Sequence, residues 1–520
     1  MNQERNTQMR AMNFSRFVDL QRLRRSDKPA LIGIEETWTF ERFAHDVHAV
    51  AHFLRAQGIR KGDRVAIFAM NSPEFVIIAQ AIFRIGAINV PLNYRLQLEE
   101  LQYLLRDSGA TLIFCDAEFT PLLEQASTDM PIKARVQVNE PARVSPGWLP
   151  LRQVISASSG KESPIEEVEF DHPQRIMYTS GTTSRPKGAI ITHGMCALNA
   201  LVQTSELELS AGDCALISGP LYHVAAWDAP GMSVLFNGGS LVIMHKFDAP
   251  LALELIQNYK VTGGIFVQAI LHNLRNAGAE GTHDLSSLKW IIFGAAAGEL
   301  YREIREMLPN AHMVQAFGMT EACSAVSYMD RAHAVSKRGS AGSAVPYVEF
   351  KIVDPDDKDL LPGKDGELVL RGPKVTPGYW NDPERTADAM RNGWFHTGDV
   401  GHVDEDGFLY ITDRLKDMIR SGGENVASQE IERVLYQHPG VSEVAVIGIP
   451  HPKWQEVPEA HIVLKSGANP TAEELIAFCR GQLASFKTPK SVKFVDELPR
   501  NASGKVLKRV LRERSVQSPG

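Results

Sequence analysis

The sequence predicts an α/β fold of more than one domain, on three observations. Short apolar runs alternate with helical stretches through the first half, which argues for parallel strands covered by helices. After about Tyr347 the texture changes to short strands with turn signals, and after "DRLKD" to a compact helix and strand pattern. The chain's 520 residues exceed what one hydrophobic core usually supports.

Each element follows from its residues. "RVAIFAM" (Arg64 to Met70) is an apolar run of buried-strand length. The next stretch offers Ser72 as N-cap, Pro73 in the first turn and Gly86 as a stop, so a helix is expected between them. "TLIFC" (Thr111 to Cys115), Ser240 to Met244 and Trp290 to Phe293 read as further strands. "EFKIVDPDD", "GELVLRG" and "DEDGFLYITD" read as short strands, the last with a D-G turn. The final stretch reads helix (Gln429 to Tyr436), strand (Glu443 to Ile449), strand (Glu459 to Leu464), helix (Ala472 to Leu483) and strand (Val492 to Asp496). In that second helix Leu475, Ile476, Phe478, Cys479 and Leu483 fall near one face. The result is a small α+β domain of about 100 residues.

Composition excludes several function classes. Net charge is −7, and the basic spots Arg22 to Arg25 and Lys505 to Arg514 are short and interrupted, so no nucleic-acid footprint is expected. Five cysteines without C-x-x-C spacing argue against a disulfide framework or zinc site and for a reducing cytosol. The start lacks a signal-peptide core, and the greasiest stretch, Phe75 to Leu92, carries Gln80, Arg84 and Asn89, too polar for a bilayer span. A cytoplasmic protein acting on small molecules is expected.

The stretch with most chemical content is "YTSGTTSRPKGAIITHG" (Tyr178 to Gly194). It lies between the apolar "IMY" and "AII", which is not where a linker belongs. Its glycines let backbone approach a ligand closely, while N–H groups and hydroxyls make a concave anion site. Thr179, Ser180, Gly181, Thr182 and Thr183 supply the donors and Lys187 the point charge. The order is not that of a Walker A loop. A plain structural turn is the competing reading.

This stretch resembles the phosphate loop of the adenylate-forming superfamily, which includes acyl-CoA synthetases, carrier-loading adenylation domains and firefly-type luciferases. Further matches run in family order over nearly the whole chain. "QAFGMTE" resembles the segment that contacts adenine and magnesium: Gln315, Ala316, Phe317, Gly318 and Thr320 for the purine, Glu321 for Mg²⁺. An aromatic among small residues suits a flat base, and one carboxylate suits Mg²⁺; a strand end and a capped helix would explain the run equally. By the same resemblance Thr179 joins Glu321 at the metal. "FGAAAG" supplies Phe293 and Gly294 with Ala295, Ala296 and Ala297 as walls of the adenine and acyl pockets. Asp399 in "WFHTGDV" and Arg414 in "ITDRLKD" contact ribose, Lys416 is the hinge, Gly422 and Gly423 line the thiol channel, and Lys505 in "NASGKV" is the catalytic lysine. His223 in "PLYHVAAWD" stands at the mouth of the acyl pocket, and Trp227 is read as a gate, or as a plain core aromatic. Val267 and Gln268 complete that pocket.

The resemblance implies a large N-terminal AMP-binding domain (1–415) with layered, parallel-rich sheets and a small β-barrel-like region. A mobile α+β lid domain (416–520) carries the lysine. It implies an AMP-forming acid–CoA ligase using ATP, Mg²⁺ and coenzyme A, with catalysis by Lys505, Glu321, Thr179 and His223. Trp227 and the alanine wall lean toward a medium- or long-chain fatty acid; an aryl acid, or a carrier protein as acceptor, is the alternative. A luciferase-like oxygenase is a remoter one. A non-catalytic sensor is disfavoured because Glu321, Asp399, Arg414 and Lys505 are all present. The family often forms dimers, so a homodimer stays open. Three departures stand out: Ser184 where Gly is common, Lys416 where Asp also occurs, and Ser428 for a frequent proline, expected to loosen the helix that follows.

Overall fold

The computed structural model describes residues 12–139, 144–179, 185–277, 283–294, 298–421, 424–501 and 504–517. The chain divides into two compact units, Met1–Glu349 with Arg371–Phe395, and Phe350–Leu370 with His396–Gly520. The expected hinge, Lys416, therefore falls inside the second unit.

The first unit holds two sheets. In the seven-stranded sheet the spatial order is Leu149–Pro150, Ala134–Gln137, Leu112–Cys115, Arg64–Phe68, Ile88–Pro91, Pro173–Thr179 and Lys187–Thr192. All neighbours are parallel except the last two, which form an antiparallel hairpin pairing Thr179 with Lys187. In the nine-stranded sheet Cys214–Ile217, Gly263–Ile265, Trp290–Phe293 and His312–Met319 run parallel in that order. Burial explains why these runs read as continuously apolar: Val65 to Phe68 and Leu112 to Cys115 are enclosed on both faces. The carboxyl ends of parallel strands open a crevice in such sheets, and this places Ser218 to His223, Val267, Gly294 and Gln315 to Gly318 at one end of the nine-stranded sheet.

The expected helix after Arg64–Phe68 is Pro73–Arg84, with Ser72 Oγ accepting from Phe75 N–H at 3.2 Å. Its last residue, Arg84, is buried but paired: Nη1 lies 2.8 Å from Asp19 and Nε donates to the Ser163 carbonyl at 2.6 Å.

The second unit has its own core around Ile419, Val426, Ile431, Leu435, Val446, Ile462, Leu475 and Cys479. Strands Val441–His451 and Gln455–Leu464 form a long antiparallel pair, with Ser491–Phe494 added in parallel. Both helices of the expected pattern are present, Ser428–Leu435 and Ala472–Arg480, the second ending three residues before Leu483. In a separate sheet Trp394–Val403 pairs antiparallel with Leu409–Arg414 and sets Asp399 opposite Arg414. One expectation is corrected. Ser428 does not loosen its helix, because it is fully buried and both its N–H (2.5 Å) and its hydroxyl (2.8 Å) donate to Asp413 Oδ2. A proline could make neither bond.

Ser72→Ala removes a helix cap and is expected to lower stability by about 1 kcal/mol. A urea unfolding midpoint unchanged from the wild type would contradict that role.

Candidate active site

The hairpin that closes the seven-stranded sheet carries the candidate anion site. Ser180, Gly181, Thr182, Thr183 and Ser184 lie outside the described residues, but both ends of their loop are held. Thr179 Oγ1 meets the Lys187 carbonyl at 3.4 Å, and Tyr103 donates its hydroxyl to the Pro186 carbonyl at 3.2 Å. Arg185 stacks over the Tyr103 ring at 5.5 Å.

Lys187 is the first residue after that loop in the returning strand, and its ammonium turns toward Glu321. Nζ stands 3.6 Å from Glu321 Oε1, over the Tyr379 ring at 4.1 Å, and donates to the Tyr379 hydroxyl. Tyr379 in turn donates to Glu321 Oε1 at 3.0 Å. The Glu321 backbone is fixed from the same segment, its carbonyl accepting from Thr376 N–H at 2.6 Å. Cation, phenol and carboxylate thus converge although 192 residues separate Lys187 from Tyr379. Both contacts fall on Oε1, and a carboxylate has a second oxygen with which to bind a cation. A hard oxygen donor of this kind, used singly, fits Mg²⁺. Tyr379 was not singled out in the sequence; its only signal is an aromatic in "TPGYW".

Glu321 follows the strand His312–Met319, along which burial relaxes from enclosed His312, Met313 and Val314 to partly exposed Gln315, Ala316 and Phe317 and exposed Gly318. The strand therefore runs out of the enclosed core shortly before the carboxylate in sequence. Gly318 is required for that geometry, since a Cβ there would stand 2.1 Å from the Ser324 carbonyl oxygen. Thr320 and Glu321 are then buried in a short 3-10 turn, Thr320–Ala322.

The expected acyl-pocket residues separate. His223 is open to solvent at its edge, and its Nδ1 accepts from Ala225 N–H at 3.1 Å, which puts the ring proton on Nε2. Loss of hydration lowers its pKa more than Asp228 raises it, so the ring is neutral at pH 7. Val267 is half exposed at its strand end, and Gly294 has open space around its Cα. Phe293 is buried in the core with Leu216 and Phe266 and meets the Tyr301 ring at 5.9 Å. The Gln268 side chain and Ala295, Ala296 and Ala297 lie outside the described residues.

Trp227 does not stand as a gate. Its indole is enclosed, 6.0 Å from the Phe75 ring, 6.1 Å from Phe83 and 5.8 Å from the Arg175 guanidinium. This is the surrounding of a core aromatic, the reading set beside the gate in the sequence. Behind it sequence reasoning missed a buried polar cluster. Arg175 binds both oxygens of Asp228 at 2.9 and 3.1 Å, and the wholly enclosed Lys374 donates to Asn199 Oδ1 at 2.6 Å. Burial pulls the Lys374 pKa down to about 8 against the opposing pull of Cys323, Asp228 and Cys196.

The second unit gathers the remaining charged candidates. Asp399 is buried and lies 3.1 Å from Arg414 Nε. Lys505 sits on a tight loop closed by Leu507 N–H to the Pro499 carbonyl (2.7 Å) and by Lys505 N–H to Asn501 Oδ1 (2.9 Å). Gly504, with φ +84°, makes that turn possible. Lys505 is exposed, and desolvation first, then Arg414 and Lys416, lower its pKa to about 8 against the pull of Asp399 and Asp417. Burial also lowers Lys416. Gly422 and Gly423 lie outside the described residues.

Comparison with known proteins accords with this geometry. Residues 18–380 match the model of the AMP-binding enzyme family, and residues 430–505 that of the AMP-binding enzyme C-terminal domain. A feruloyl-CoA synthase of an Amycolatopsis species is 39% identical over 92% of this chain and 94% of its own. A long-chain-fatty-acid–CoA ligase of Mycobacterium tuberculosis is 37% identical over 89% of this chain and 90% of its own. Among solved structures, the o-succinylbenzoate CoA synthetase of Bacillus subtilis with its acyl-adenylate intermediate superposes with a TM-score of 0.85 at 32% identity, covering 95% of this chain and 97% of that one. The same synthetase has been solved with ATP and a magnesium ion (TM-score 0.84, 31% identity, 95% and 98% covered).

Gly318→Ala is expected to displace the turn carrying Glu321 and to cost about 1–3 kcal/mol of stability by overpacking. Thermal unfolding measures it, and a variant as stable as the wild type would show the close approach to be unimportant.

A chain matched by that family model over most of its length belongs to the AMP-binding enzyme family, as an acid–thiol ligase working with ATP, Mg²⁺ and coenzyme A.

Proposed function

We propose that the chain is an AMP-forming ligase that joins an aromatic carboxylic acid to coenzyme A. The observation that carries the reaction is the convergence of Lys187 and Tyr379 on Glu321 at the mouth of the phosphate hairpin. A carboxylate is a poor electrophile because its carbon already shares negative charge. Its oxygen attacks the α-phosphorus of ATP, pyrophosphate leaves, and the acyl-adenylate forms. Two anions must approach each other in that step, so cations set the rate. Lys187 and the donors from Thr179 to Thr183 grip the phosphates, the edge from Gln315 to Gly318 takes the adenine, and Asp399 with Arg414 takes the ribose. Lys505 delivers its charge to the reacting phosphate. Glu321 and Thr179 would hold Mg²⁺, which would supply further neutralisation of negative charge when bound. Each such charge is worth on the order of 2.7–4 kcal/mol in the transition state. Neutral His223 shields the incoming acid without offering a competing positive charge.

In the second half-reaction the coenzyme A thiol attacks the acyl carbonyl and AMP leaves. For this we assign 1–415 as the nucleotide domain and 416–520 as a lid that turns at Lys416, withdrawing Lys505 and presenting Gly422 and Gly423 to the thiol. Lid motions of this kind can limit turnover.

The choice of an aromatic acid rests on Trp227, whose place in the core removes the feature that favoured an acyl tunnel, and on the similarity to a feruloyl-CoA synthase. The second reading, a medium- or long-chain fatty acid, is favoured by the similarity to a long-chain-fatty-acid–CoA ligase. Pyrophosphate release with ferulate, indoleacetate, octanoate and palmitate, each with and without coenzyme A, separates them; turnover of palmitate alone would reverse the assignment.

Lys505→Ala is expected to abolish ATP–pyrophosphate exchange, by about 10²–10³-fold, while a preformed acyl-adenylate still becomes thioester. Because its pKa is lowered to about 8, Lys505 is charged below that pH and loses its charge above it, so adenylation falls as pH rises through 8. A rate flat to pH 10, or exchange surviving in the variant, would remove Lys505 from the role.

A further inference from the structure

The last helix, Lys508–Gln517, begins three residues after Lys505. Its first turn contains no acidic residue and carries Lys508 and Arg509 instead. The helix dipole disfavours cations there, so Lys508 needs a compensating partner. It has two: Nζ lies 2.7 Å from Glu432 Oε1 and donates to Ser428 Oγ at 2.6 Å. The pair is largely enclosed, with 14% and 15% of the side chains exposed, and Glu432 Oε1 also accepts from Val446 N–H at 2.8 Å.

Ser428 passes this contact to the strand before the hinge. Its hydroxyl donates to Asp413 Oδ2 at 2.8 Å, and Asp413 Oδ1 accepts from Arg414 N–H at 2.7 Å. One turn further along the helix, Arg512 pairs with Asp417 Oδ1 at 2.9 Å and donates to the Lys416 carbonyl at 3.4 Å. Positions i and i+4 share a helix face. One face therefore reaches both ends of the run 413–417, through Ser428 at Asp413 and directly at Asp417, and between them lie Arg414 and Lys416, whose charges act on the Lys505 ammonium together with those of Asp399 and Asp417.

We propose that Lys508 and Arg512 are positioning residues that clamp the 413–417 run to the C-terminal helix and so hold Lys505 against Arg414, Lys416, Asp399 and Asp417. Of these contacts only the one from Ser428 to Asp413 crosses the assigned hinge, and it would have to open for the lid to turn about Lys416. Its catalytic meaning rests on the proposed role of Lys505, while the positioning itself stands on the contacts above.

Competitive acetylation of the full-length protein with acetic anhydride, read at Lys505 by mass spectrometry across pH, tests the clamp without knowledge of the acid substrate. Wild-type Lys505 is expected to titrate near 8, and Lys508→Met and Arg512→Gln to move it toward the ordinary 10.5. At neutral pH its acetylation then falls by about 10-fold or more, since one pKa unit is tenfold in free amine. Lys508→Arg, which keeps the charge, should restore much of the wild-type profile. Circular dichroism establishes that each variant is folded; should Lys508→Met not fold, Arg512→Gln, on a partly exposed side chain, decides alone. A wild-type profile in folded Arg512→Gln or Lys508→Met overturns the proposal. Lys505→Ala retaining pyrophosphate exchange would sink the catalytic role of Lys505 and leave the labelling result untouched.

Discussion

One buried carboxylate organises the first unit. Glu321 is enclosed, yet its Oε1 faces an ammonium and a phenol and its backbone carbonyl is tied to Thr376. Removing a charge from water is costly unless it is paired and hydrogen-bonded, so three distant parts of the chain must arrive together. The hairpin strand brings Lys187, the end of the nine-stranded sheet brings Glu321, and the run 374–379 brings Thr376 and Tyr379. Their meeting fixes the returning strand of the hairpin against the turn that follows the strand His312–Met319.

The second unit handles charge differently. Lys505 lies among Arg414 and Lys416 as well as Asp399 and Asp417, and its pKa is lowered to about 8. Loss of hydration lowers it most, the two cations add to that, and the two carboxylates oppose it.

Much of this was legible in the sequence. Ser72 as a cap, the buried strand Arg64–Phe68 and the α+β order after Lys416 followed from periodicity and turn chemistry. The candidate nucleotide-binding residues came from the resemblance of their motifs to those of the adenylate-forming superfamily. What was not legible depends on distant partners. Tyr379 is an ordinary aromatic until Glu321 lies beside it. Arg175 sits in an apolar strand, and nothing local reveals that Asp228 will neutralise it 53 residues later. Trp227 read as a gate because its neighbours in sequence suited a pocket, whereas its neighbours in space are Phe75 and Phe83. Ser428 read as a weak helix start because its acceptor, Asp413, lies on another strand.

The account's central claim is that Glu321 presents Mg²⁺ to a nucleotide held by the hairpin. Calorimetric titration of ATP, with and without Mg²⁺, into the wild type and Glu321→Gln measures this most directly. The account predicts binding that Mg²⁺ strengthens in the wild type, and a Mg²⁺ effect that is lost in Glu321→Gln while binding of ATP alone persists. Equal strengthening by Mg²⁺ in both proteins, or no binding of ATP to either, would contradict it.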